Sequence, residues 1–137
     1  MFIILFKCFV FINRLAIIIG VMWMENAKDL LKEAEESLRI LHKEYPDEMG
    51  SFAKFLHEVE EKGALDTKTK ELISIALSVV TQCKWCIAFH TRNAIKAGAT
   101  KDEIMEACFV AALMGGGPAL MYVQVVMEAV EEFKRQK

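Results

Sequence analysis

A chain of 137 residues, 54% of them hydrophobic and with a formal charge of −2, holds material for one domain and one core. It has no dense run of Lys or Arg, which excludes nucleic acid as a partner recognised through a basic face. Two of its four cysteines stand three residues apart and two, Cys8 and Cys108, stand alone. That excludes a spaced disulfide framework and fits one reactive pair in a reducing, cytoplasmic setting.

Residues 1–23 read MFIILFKCFVFINRLAIIIGVMW, apolar except around Lys7, Asn13 and Arg14. A membrane-spanning helix needs about 20 uninterrupted apolar residues, and Arg14 near the middle is costly there. A signal peptide needs its positive charge first and small residues last. Met22 and Met24 directly precede an amphipathic pattern, so a start placed too far upstream is one reading. A membrane-associating or oligomer-packing helix and a signal are the others. The segment is treated as an apolar N-terminal extension, and residues 24–137 as a single helical domain.

From Glu25 to Tyr45, Leu30, Leu31, Ala34, Leu38, Leu41 and Tyr45 recur at three- and four-residue steps, which predicts an amphipathic helix. Pro46 ends it and opens a second helix, with Asp47 and Glu48 at its positive end. Met49, Phe52, Phe55, Leu56 and Val59 form that helix's expected buried stripe, and Gly63 its stop. Asp66 caps a third helix from Thr67 to Val80, apolar on nearly all sides and so expected in the middle of a bundle. A fourth runs from about Cys83 to Ala97 and ends at Gly98. Thr100 and Glu103 form a capping box opening a fifth. The run Gly115-Gly116-Gly117-Pro118 breaks it, and a sixth follows from about Ala119 to Arg135. No stretch alternates as a half-buried strand does, so the fold class is all-α with about six helices.

The chemistry concentrates in Cys83-Lys84-Trp85-Cys86-Ile87-Ala88-Phe89-His90. Two cysteines spaced this way at a helix start come within disulfide reach, and the helix's positive end stabilises a thiolate. His90, four residues beyond Cys86, shares its helix face and can take or give a proton near neutral pH. Glu71 is a carboxylate in an otherwise apolar helix. It either complements the helix dipole or, if buried, needs a thiol or imidazole partner. The alternatives for the cysteines are buried packing or, with His90, part of a zinc site that lacks a fourth ligand. His42 and His57 lie on charged, solvated faces, and Cys108 lies on an apolar stripe as a small core residue. Trp85 either covers the dithiol or anchors an interface.

Glu71, then eleven residues, Cys83-x-x-Cys86, three residues and His90 resembles the motif of the alkylhydroperoxidase AhpD-like family, within the carboxymuconolactone decarboxylase-like superfamily. The flanks resemble it as well: Leu65-Asp66-x-Lys68-Thr69-Lys70-Glu71-Leu72-Ile73 before the cysteines, Ala94-x-x-Ala97-Gly98-Ala99-Thr100-x-x-Glu103-Ile104 after them, and Gly115-Gly116-x-Pro118. The likeness runs over about residues 45 to 130. It implies Cys86 as the peroxide-attacking thiolate, Cys83 as the resolving thiol, and Glu71 with His90 as a proton relay. A hydroperoxide would be the substrate and a lipoyl or thioredoxin-like dithiol the reductant, with no cofactor and no metal. Trp85 departs from the family's best-studied peroxidases, which have a second histidine there.

The resemblance also implies homotrimers or homohexamers, in keeping with the high apolar content. Two other functions compete with the peroxidase. One is the superfamily's cofactor-free lyase acting on a carboxylated lactone, a branch that typically lacks the cysteine pair. The other is a non-enzymatic helical module whose disulfide switches its binding.

Overall fold

Short polar signals set where each helix begins. In the computed structural model, which describes residues 26–135, the Asn26 side chain accepts the Lys28 amide at 2.9 Å and opens α1, Ala27–Glu44. Pro46, whose missing N–H costs nothing in a first turn, starts α2, Pro46–Glu60. The Asp66 carboxylate accepts the Thr69 amide at 2.7 Å and caps α3, Thr67–Val80. Its carboxyl is held below the usual range, chiefly by that bond. α4 spans Lys84–Lys96 with Cys83 as its cap, and α5 spans Lys101–Lys134. The capping box before α5 is reciprocal: Glu103 N–H donates to Thr100 Oγ1 at 3.2 Å, and Thr100 N–H to Glu103 Oε2 at 2.8 Å.

The core lies where α3, α4 and α5 meet. Ile75, Val79, Ile87, Ile104, Cys108, Val126 and Val130 are fully buried there. Only the first half of α1 joins them, packing Ala27, Leu30 and Leu31 against Ala88 and Ala129. The Ala27 amide donates to Glu132 Oε2 at 2.8 Å, which fixes the start of α1 against the far end of α5.

Among the described residues there are five helices and no strand, where about six helices were expected. The expected break is nonetheless present: α5 is two helical segments joined at a kink at Gly116, which takes the non-helical φ 69°, ψ −159°. A left-handed φ suits glycine, and Pro118 falls in the first turn after the bend, where its ring is tolerated. Gly115 is needed for another reason: a Cβ there would stand 2.6 Å from Ala119 Cβ and 3.4 Å from a Val80 methyl.

A second expectation is corrected. The stripe of α2 is not buried, since no α2 residue is, and Phe55 is 63% exposed. Leu38 and Leu41 of α1 and Tyr45 just after it are also exposed, as are Ile73 and Leu77 of α3. The periodicity is that of an apolar face, but among the described residues nothing covers it. α5 is long and apolar enough to cross a membrane by length and composition alone; its inner face supplies much of the core. The apolar extension 1–23 lies outside the described residues.

Candidate active site

The link from α3 to α4 places the cysteines. α3 closes with Gln82 N–H donating to Val79 O at 3.3 Å and Cys83 N–H to Ser78 O at 3.0 Å. That paired closure needs a left-handed residue between, and Gln82 adopts φ 58°. A non-glycine residue there is strained, and the strain lies immediately before the cysteine pair. Cys83 then caps α4, its Sγ accepting the Cys86 amide at 3.3 Å. Cys83 and Cys86 are joined as a disulfide, their Cα atoms 5.3 Å apart. Both sulfurs therefore belong to the positive end of α4.

One turn on, His90 Nδ1 lies 2.7 Å from Glu71 Oε2 of α3. The Glu71 side chain is 3% exposed and that of His90 17%. A carboxylate accepts the Nδ1 proton and so leaves Nε2 as the nitrogen free to exchange one. Phe89 meets the imidazole edge to face, centroids 5.2 Å apart, and Arg92 lies over the Phe89 ring at 5.0 Å while bonding Glu35 of α1 at 2.7 Å. The Arg92–Glu35 bond thus ties α4 to α1 beside the imidazole.

Sequence reasoning missed Glu60, the last residue of α2. Its Oε1 lies 3.9 Å from His90 Nδ1, is buried, and has no hydrogen-bond partner. Burial, then the neighbouring Glu71 charge, pushes the Glu60 carboxyl above its usual range. The only signal was a glutamate three residues before a helix-stopping glycine, which does not distinguish it from Glu58 or Glu61. Glu60, Glu71 and His90 bring three ligand atoms within 4.8 Å of one another, a donor set of the kind that holds divalent cations. In this geometry, though, Glu71 and His90 already satisfy each other.

All four residues singled out in the sequence thus fall into two bonded pairs, Cys83–Cys86 and Glu71–His90, connected through α4 itself. Glu71 is no solvated dipole complement. Trp85 is 50% exposed and donates its Nε1 proton to Glu33 Oε2 at 3.1 Å, beside an open groove lined by Asp29, Lys32, Glu36 and Ser37. His57 pairs with Glu61 on an exposed face, as expected. Cys108 is fully buried, its thiol pushed up to about 12 by desolvation, so it is inert.

The sequence model of the carboxymuconolactone decarboxylase family matches residues 46–129. An uncharacterised protein of Cupriavidus necator is 34% identical over 71% of the chain and 86% of its own length. One from the cox locus of Paracoccus denitrificans is 46% identical over 51% of the chain, a match spanning less than two thirds (63%) of that relative. An alkyl hydroperoxide reductase AhpD of Coxiella burnetii is 38% identical over a shorter stretch, 38% of the chain and 29% of that protein. Among solved structures, a carboxymuconolactone decarboxylase family protein from Legionella pneumophila superposes with a TM-score of 0.77 at 41% identity, covering 80% of this chain and 98% of that one. Another, from Thermotoga maritima, whose description links it to an antioxidative response, gives a TM-score of 0.71 at 28% identity over 77% and 91%.

Proposed function

The chain belongs to the carboxymuconolactone decarboxylase family, and on that premise we propose that it is a thiol-dependent peroxidase and disulfide oxidoreductase. Reduced Cys86 gives its proton to His90, whose charge Glu71 balances. The thiolate attacks a hydroperoxide oxygen, the O–O bond breaks, and the departing alkoxide takes the His90 proton to leave as an alcohol. Cys86 is then a sulfenic acid. Cys83 sulfur attacks it, hydroxide leaves with the Cys83 proton as water, and the disulfide remains. A lipoyl or thioredoxin-like dithiol returns both electrons and both protons by exchange.

The observation that supports this reading best is the buried Glu71–His90 bond of 2.7 Å one helical turn from Cys86. The superfamily's lyase branch typically lacks the cysteine pair that this chain carries, which disfavours the lactone reading. The test is mass spectrometry after stoichiometric hydroperoxide. The parent should gain a Cys83–Cys86 disulfide from the reduced state and consume peroxide, and Cys86→Ser should do neither. Undiminished peroxide consumption by Cys86→Ser would remove the assignment.

The same reading includes a cytoplasmic homotrimer or homohexamer. Its support is the uncovered apolar surface of α1, α2 and α5, where Leu113 is 82% exposed. Sedimentation of a monomer at micromolar concentration would contradict it.

A further inference from the structure

α2 is an unusual helix in this fold. None of its residues is fully buried, yet its C-terminal end is fastened to the first turn of α3. Thr67 Oγ1 donates to Glu60 O at 3.2 Å, and Lys70 Nζ donates to the Val59 carbonyl at 2.7 Å and to that of Glu61. Glu71 follows directly. These bonds do little for the exposed apolar face of α2. They fix the height of Glu60, and the Glu60 carboxyl is what α2 contributes to the interior. An oxygen buried without a donor is costly to keep ionised unless a positive charge faces it. The candidate for that charge is the ring opposite.

We propose that Glu60 is a positioning residue of this site: ionised, it faces the His90 imidazolium across 3.9 Å, holds that ring protonated, and so keeps Cys86 as the thiolate. The proposal deepens the peroxidase reading, since it takes Cys86 as the reacting sulfur. The charge acts more strongly on the imidazole it faces than on a sulfur one helical turn away. It therefore favours the imidazolium–thiolate pair over the neutral imidazole and thiol. Two carboxylates about one ring also couple: when Glu60 takes up a proton, only Glu71 balances His90. Burial and the Glu71 charge make that uptake occur at a higher pH than for a solvated glutamate.

The groups acting on Glu60 are Glu71 of α3, His90 of α4 and His57 of α2, the two histidines favouring its ionised form. Other charges of the surrounding helices are engaged elsewhere: Lys70 with the α2 carbonyls, Glu35 of α1 with Arg92, and Glu103 of α5 with Lys68.

The experiment alkylates the reduced full-length protein with iodoacetamide and follows Cys86 by mass spectrometry from acid to mildly alkaline pH. Peroxide consumption is measured separately on the same samples. Glu60→Gln should alkylate about tenfold more slowly near neutrality, the effect of losing one nearby charge. Its profile should merge with the parent's as the pH falls through the Glu60 titration, where the parent loses the same charge. Glu60→Asp, which keeps the charge, should recover most of the rate and serves if the amide variant folds poorly. A Glu60→Gln profile that matches the parent's, or lies below it by one factor at every pH, overturns the proposal. Failure of the peroxidase reading looks different: Cys86 alkylates with the expected pH dependence while no hydroperoxide is consumed.

Discussion

Glu71→Gln separates what the buried carboxylate does for the fold from what it does for the chemistry. The substitution preserves volume and an acceptor oxygen for His90 Nδ1 but removes the charge. Glu71 Oε2 is 2.7 Å from that nitrogen and its side chain 3% exposed, so water and salt screen the pair little. A hydrogen bond to a charged group contributes about 1.5–3 kcal/mol and a neutral one about 0.5–1.5 kcal/mol. The expected cost to the fold is thus about 1 kcal/mol, a fall in Tm of about 3–4 °C for a domain of this size. The chemistry should suffer far more. Losing the charge that steadies the imidazolium removes part of a general acid–base contribution that is typically about 100- to 10,000-fold, so peroxide reduction should slow by at least about tenfold. Stopped-flow fluorescence of the reduced protein mixed with hydroperoxide reads the rate through Trp85, and circular dichroism on heating reads the stability. A folded variant reacting within about twofold of the parent would refute the relay, because no tightly coupled charge could be lost so cheaply.

Cys83→Ser should stop at the first chemical step, so that peroxide leaves a dimedone-reactive sulfenic acid on Cys86; a Cys86 that stays reduced would contradict the order of the two sulfurs. Gly116→Ala forces a Cβ into φ 69° and should cost about 1–2 kcal/mol in urea unfolding, with no loss if the kink can relax into regular helix. Glu103, bonded to Lys68 at 2.7 Å and to the Thr100 amide, is lowered from 4.5 to about 2, mainly by Lys68. A carboxyl depressed on folding stabilises the native state above its unfolded value, and that contribution is lost as pH falls from about 4.5 towards 2. Acid titration of Lys68→Met followed by circular dichroism should therefore show a smaller stability loss over that window than the parent.

Boundaries and caps were legible because they depend on local chemistry. Asp66 and the Thr100–Glu103 box mark helix starts through side-chain oxygens that reach amides two or three residues away, and Pro46 through a fixed φ. Burial was less legible, because hydrophobic period tells that a helix has an apolar face and not what covers it. Val79 and Leu77 are two residues apart in one apolar run, and one is fully buried while the other is 60% exposed. The break in α5, by contrast, was legible: three glycines and a proline cannot sustain a helix interior. Only one of them, Gly116, leaves helical φ/ψ, and the chain resumes helix directly beyond it.

The site divides along the same line. Cys83, Cys86 and His90 share one helix, so spacing alone places them. Glu71 comes from α3 and was placed by resemblance to a motif and not by periodicity. Glu60 comes from a third element and was invisible, since its role depends on how the end of α2 is fastened by Thr67 and Lys70. Each further helix added to the site removes a layer of sequence legibility, yet it adds control. On the proposed reading, a cysteine at a helix start reacts through local geometry, an imidazole one turn away makes that reactivity depend on a proton, and carboxylates from two other helices make the proton depend on the tertiary fold. If α2 loosens from α3, the charge of Glu60 leaves His90 while Glu71 stays bonded. On the proposed reading the site should then keep its relay and lose part of its thiolate, so cutting the attachment with Thr67→Val should lower the Cys86 alkylation rate in the same direction as Glu60→Gln.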